Sequence, residues 1–152
     1  MPISFTSEFE INAPPTQVMA EMTDFDSWHH WMDGLIKIEK LTDGPYSVGT
    51  QWRETRKMFG KEASEVFEVT GFEPPHSVNL RVDGSQGTTG KGEYRFFYTL
   101  VPNDGDRTQL TMHSEIEMPG IVPKLFGFLL KGMFKQGCDR DTLALKAYLE
   151  EA

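Results

Sequence analysis

The chain has 152 residues, 38% of them hydrophobic, with 15 basic and 23 acidic side chains for a net charge of −8, and a single cysteine, Cys138. That length predicts one domain over residues 1–152, able to bury a core without disulfides or metal. The acidic balance argues against binding nucleic acid or an anionic membrane through overall charge, and the lone cysteine excludes a disulfide framework or a cysteine-based zinc site. The first residues lack a basic, apolar leader and no run reaches a membrane-spanning length, so a cytoplasmic protein without stable membrane insertion is expected.

Residues 3–11 alternate, with Ile3, Phe5, Phe9 and Ile11 on one side, and predict a half-buried strand that stops at Asn12-Ala13-Pro14-Pro15. Residues 15–22 carry Val18, Met19 and Met22 at helical spacing, and a second short helix is expected to carry Trp28 and Trp31. From 35 to 118 the signal is strand and turn: strands over 35–41, 49–59, 62–72, 78–82, 93–101 and 108–118, with a Gly-, Ser- and Thr-rich loop over 83–92. Helical periodicity then runs from Val122 to about Leu149, with Pro123 near its start. The expected order is β-α-α, six further strands as an antiparallel meander, and a long final helix lying across the sheet.

The hairpin near Gly60-Lys61 allows a register to be proposed. Taken as a two-residue type II′ turn, it places Arg56 opposite Glu65, Glu54 opposite Phe67 and Trp52 opposite Val69, all on the more apolar face. On the later strands Tyr94, Phe96, Tyr98 and Leu100, and Leu110, Met112, Ser114 and Ile116, take the same inner side. A large aromatic and lightly polar concave face under one crossing helix is a shape suited to a ligand cavity.

Several segments also resemble a known superfamily. They are Ile11-Asn12-Ala13-Pro14, Val18, Thr23-Asp24-Phe25-Asp26-Ser27-Trp28 with Trp31, Val48-Gly49-Thr50, Phe72-Glu73-Pro74-Pro75, and Arg107-Thr108-Gln109-Leu110-Thr111. In this order they resemble the SRPBCC, or START-like, superfamily and its polyketide cyclase/dehydrase branch, from residue 3 to about 149. The resemblance implies an α+β helix-grip fold: a curved antiparallel sheet of about seven strands wrapped around a long C-terminal helix, with two short helices after the first strand. It carries no universal catalytic motif, since members include lipid and quinone binders, aromatic cyclases and co-chaperones.

The expected ligand-contacting set is Trp52, Glu54, Arg56, Glu65, Phe67, Tyr94, Phe96, Tyr98, Met112 and Ser114 from the sheet, with Phe126, Leu129, Leu130 and Met133 from the helix. Arg56 with Glu65 and Glu54 reads either as a structural ion pair or as a polar anchor for a carboxylate, phenol or carbonyl. Tyr94, Tyr98 and Ser114 would add hydroxyls to an otherwise apolar wall. Residues 121–134 are apolar nearly all round, which fits a portal, a dimer surface, a membrane-touching segment, or a face covered by loops. His29, His30 and Asp33 read as surface groups, because adjacent helical residues point apart, and no zinc spacing, nucleophile elbow or phosphate loop occurs. Cys138 reads as a small apolar residue. The expected function is binding, and in one version carriage, of a hydrophobic small molecule such as a lipid or polyketide-like compound, without a cofactor. The alternatives are a cofactor-independent cyclase or dehydratase using the cavity Glu, Arg and Tyr side chains, and a co-chaperone-like interaction module. A homodimer is compatible with either.

Overall fold

The computed structural model describes residues 3–58 and 60–151, and the side chains of residues 58 and 121–126 lie outside that description. Seven strands, β1 (Ile3–Ile11), β2 (Leu35–Lys40), β3 (Gln51–Met58), β4 (Lys61–Glu73), β5 (Ser77–Asp83), β6 (Glu93–Asn103) and β7 (Arg107–Glu117), form one antiparallel sheet. Its order is β1-β7-β6-β5-β4-β3-β2. Helix α1 (Pro15–Met22) follows β1, and α2 (Ile121–Glu151) follows β7. The expected strand count, order and long final helix are all present. The second short helix is a single 3₁₀ turn, Trp28–His30.

Local chemistry explains α1 and that turn. Pro15 occupies the first helical position, where its missing N–H is harmless. Val18 and Met19 turn into the core, and Thr23 ends the helix by bonding back to the Met19 carbonyl. The Glu21 carboxylate then accepts from Ser27 and from the Trp31 indole at 2.9 Å, while its carbonyl accepts from Trp28 Nε1 at 3.1 Å. This fixes Trp28 in an aromatic cluster with Phe25 and Trp52, at ring separations of 4.8 and 5.3 Å. The histidines depart from expectation. Their rings lie 3.9 Å apart because a 3₁₀ turn does not splay neighbours as a helix would, but both remain exposed.

The β3–β4 hairpin corrects the proposed register. Lys61 already pairs with Met58, so Gly60 (φ +79°) is the second residue of the connection, not the first. The pairs are therefore Trp52 with Phe67, Glu54 with Glu65, and Arg56 with Ala63. The slip is two residues, which moves every partner but leaves every side chain on its expected face.

The last turns of α2 seal the β1 edge. Lys146 donates to the Glu10 carbonyl at 2.8 Å, Glu150 accepts from the Asn12 N–H at 2.9 Å, and Leu145 and Leu149 enter the core beside Ile11 and Val18. In its described part, the α2 backbone comes close to β1 but stands away from the central strands β4, β5 and β6. A helix pinned at one margin of a curved sheet leaves the middle of the concave face to side chains.

Candidate functional site in the concave face

Phe67, Leu80, Phe96 and Tyr98 project from β4, β5 and β6 toward α2. They sit at the centre of the sheet, far from either edge, yet all four stay half-buried. Their remaining accessible surface lies on the side of the sheet that α2 crosses. Phe134 and Cys138 approach from the helix side, packing with Tyr94, Phe96 and Tyr98 around Phe5, Met112 and Ile116.

One end of this space is charged. Arg56 makes a two-pronged pair with Asp141 of α2, Nη1 to Oδ2 at 2.7 Å and Nη2 to Oδ1 at 2.8 Å. Nη2 also donates to the Asp33 carbonyl at 2.6 Å, and Glu54 Oε2 lies 3.7 Å from Nη1. Such a fork is the strong, orienting form of the ion pair. Burial opposes the arginine's charge, but the Asp141 carboxylate, helped by Glu54 and Asp33, more than offsets it and raises its pKa. Glu54 behaves in the opposite way. Burial pushes its carboxyl up to about 7; Arg56 pulls it down, Asp141 pushes it up, and the neighbouring Trp52 N–H lowers it slightly. Trp52 Nε1 has no partner of normal hydrogen-bond geometry. Tyr98 is raised well above the ordinary phenol value, by burial first and then by the nearby Cys138, Asp141, Tyr46 and Glu54. Burial likewise pushes the Cys138 thiol up to about 12, so it stays protonated at neutral pH.

The expected Arg56–Glu65 pair is absent, since the true register offers Arg56 only Ala63 across the hairpin. Glu65 instead holds the loop after β5. Its Oε1 accepts from the Thr89 N–H at 2.9 Å and from the Thr89 hydroxyl, which in turn receives the Tyr94 hydroxyl at 3.2 Å. Trp52, Met112 and Ser114 are sealed behind the wall, at 1%, 0% and 0% exposure. The Ser114 hydroxyl is spent on the Arg95 carbonyl at 3.1 Å. Leu129 and Met133 are 57% and 47% exposed and do not line the space; Leu130 is half-buried, and Phe126 lies outside the described side chains. Apolar residues surround that half of α2, so periodicity gave no inward direction.

Asp141 is the main residue that sequence reasoning missed. The signal was its place among Cys138, Thr142, Leu145 and Leu149, an acid on the stripe that turns inward. The described residues hold no cluster of His, Cys, Asp and Glu able to bind a metal, and none of their helices is long and apolar enough to cross a membrane.

Comparison with known proteins decides the relationship. Residues 2–150 match the family model described as polyketide cyclase / dehydrase and lipid transport. The chain belongs to this family. No curated protein matches it. Its fold is similar to that of Ara h 8.0201, at 16% identity, TM-score 0.80 and full coverage of both chains. A START superfamily protein from Mycobacterium smegmatis aligns with 97% of each chain at 16% identity and TM-score 0.77. The Zhui aromatase/cyclase from Streptomyces sp. R1128 aligns at 15% identity and TM-score 0.80, covering 99% of this chain and 94% of the other. Family model and fold agree: over nearly its whole length the chain has the architecture of these structures.

Proposed function

We propose that the protein binds, and carries, a hydrophobic small molecule bearing an oxygen function, a lipid or polyketide-like compound, in the concave space under α2. The observation that carries this reading is the half-buried wall of Phe67, Leu80, Phe96 and Tyr98 at the centre of the sheet. Apolar surface held open there gives a ligand area to bury, at about 25 cal/mol per Å². The Tyr98 hydroxyl and the Arg56–Asp141–Glu54 group supply polarity at one end, which would orient the molecule. A small ligand also suits a chain whose charge of −8 disfavours nucleic acid, and the lone cysteine favours a cytoplasmic setting.

Native mass spectrometry of gently purified protein, followed by solvent extraction, should reveal a co-purifying apolar compound. Titration with anilinonaphthalene sulfonate should show saturable binding that Phe96→Trp, which fills the space, weakens by at least about tenfold. Absence of both a bound compound and saturable, Phe96-sensitive binding would reject the reading.

Glu54 supports a second version, in which the bound molecule is cyclised or dehydrated. A carboxyl titrating near 7 can give or take a proton under neutral conditions. Glu54→Gln should then abolish turnover while leaving probe binding intact; a carrier returns its ligand unchanged in either form.

A further inference from the structure

The protein's negative charge is not evenly spread. Residues 118–138 contain Lys124, Lys131 and Lys135 and not one acid, in a chain of net charge −8. The same stretch holds three of the exposed apolar side chains of α2. Phe128 is 75% exposed, Leu129 57% and Met133 47%. Lys131 and Lys135 follow Phe128 at i+3 and i+7, so they share its side of the helix; Lys131 is exposed, and Lys135 is half-exposed and paired with Asp139 at 2.8 Å. Leu129 and Met133 stack at i and i+4 on the adjoining side. Around residues 128–133 only Leu130 is half-buried, so this part of α2 stands proud of the sheet. An apolar ridge edged by an exposed lysine, on a helix whose described residues are not apolar enough to span a bilayer, is the pattern of a segment that lies in a membrane interface.

We infer that the Phe128–Met133 ridge of α2 is a reversible docking face for anionic lipid bilayers. Phe128, Leu129 and Met133 would enter the headgroup boundary while Lys131 reaches the lipid phosphates, its aliphatic stem lying along the apolar surface. The rest of the molecule, acidic overall, would be repelled, so the contact is oriented and brief. This deepens the carrier reading and rests on it for its purpose: Phe134, one turn beyond Leu130, belongs to the wall of the ligand space, so docking would bring that space to the bilayer surface.

The test is flotation of purified protein with vesicles of phosphatidylcholine alone and of phosphatidylcholine mixed with phosphatidylglycerol. Binding is expected only to the mixed vesicles, falling as salt is raised. Lys131→Gln should lower partitioning about fivefold, and Phe128→Ser by more than about tenfold. Leu129→Trp should show a blue-shifted emission on the mixed vesicles and not on phosphatidylcholine alone. All three positions are exposed, and unchanged circular dichroism would confirm folding. Anilinonaphthalene sulfonate binding in solution should be unaltered in Lys131→Gln, which separates failure of docking from failure of the carrier reading. No binding to mixed vesicles, equal binding to both kinds, or full binding by Phe128→Ser would overturn the proposal. So would a stable dimer that Phe128→Ser dissociates, since the ridge would then be a subunit contact.

Discussion

Glu54 is the residue whose protonation reports most directly on the site. Its carboxyl stays protonated to about 7 in the fold, against an ordinary value of 4.5. The folded state therefore binds the extra proton between these values, and stability falls as pH rises through that window and is level above it. Glu54→Gln should remove the penalty. In urea titrations the variant should exceed the parent by roughly 1–3 kcal/mol at about pH 8 and match it near pH 4. Asp141→Asn addresses the other half of the pair. It should cost about 2–4 kcal/mol by stranding a mostly buried guanidinium, and it should also lower Glu54, because a nearby negative charge has gone and Arg56 is free to turn to it. Carboxyl-carbon NMR should find the Glu54 midpoint below about 7 in that variant; an unchanged or higher midpoint would contradict the assigned geometry.

Among the elements, the loop of residues 84–92 depends on close approach rather than on bulk. It runs beside the start of β4, beyond the point where β5 ends, with Thr88 N–H donating to the Ser64 carbonyl at 2.7 Å and the Thr88 hydroxyl accepting from Ser64 N–H at 2.8 Å. A Cβ at Gly87 would meet Glu65 Oε2 at 2.2 Å and the Ser64 carbonyl at 2.4 Å. Gly87→Ala should therefore push the loop off β4, costing about 1–3 kcal/mol, with hydrogen exchange speeding up at residues 88–90 before the strands respond. Glu65→Ala, which removes the Thr89 anchor, should produce the same local exchange pattern at a cost of about 2 kcal/mol. The elements themselves were legible in the sequence, because alternation along β1, β6 and β7 and the 3.6-residue period of α2 are local signals. The hairpin register was not. It turned on which of two adjacent positions held Gly60, and either choice keeps Trp52, Glu54 and Arg56 facing inward. Hence the face of Arg56 could be read and its partner could not: Asp141 lies 85 positions away, where no local pattern couples the two. Leu129 and Met133 were misplaced for the opposite reason, an excess of apolar signal without a direction.

For the whole molecule, the half-buried aromatic wall of Phe67, Phe96 and Tyr98 means that the proposed ligand, by covering it, would stabilise the fold. A compound that enters the space should raise the melting temperature with its concentration, by an amount equivalent to about 2.7 kcal/mol at a hundredfold excess over its dissociation constant. Differential scanning calorimetry should show that rise in the parent and little of it in Phe96→Trp, which should itself melt higher if the indole fits without strain. The topology carries a further consequence. β1 pairs only with β7, from Ile3 with Ile116 to Ile11 with Thr108, and the Thr6–His113 and Ser7–Asp139 bonds span 107 and 132 positions. A chain emerging from the ribosome can build the β2–β6 meander as it appears, but its first strand has no neighbour until β7 follows. Residues 3–11 must wait with an unpaired edge through most of synthesis, and long-range closure of this kind is slow. Their alternating Ser4, Thr6, Glu8 and Glu10 keep one side of the waiting strand polar. Replacing those residues with valine or isoleucine should lower the soluble yield far more than it lowers the stability of whatever protein does fold.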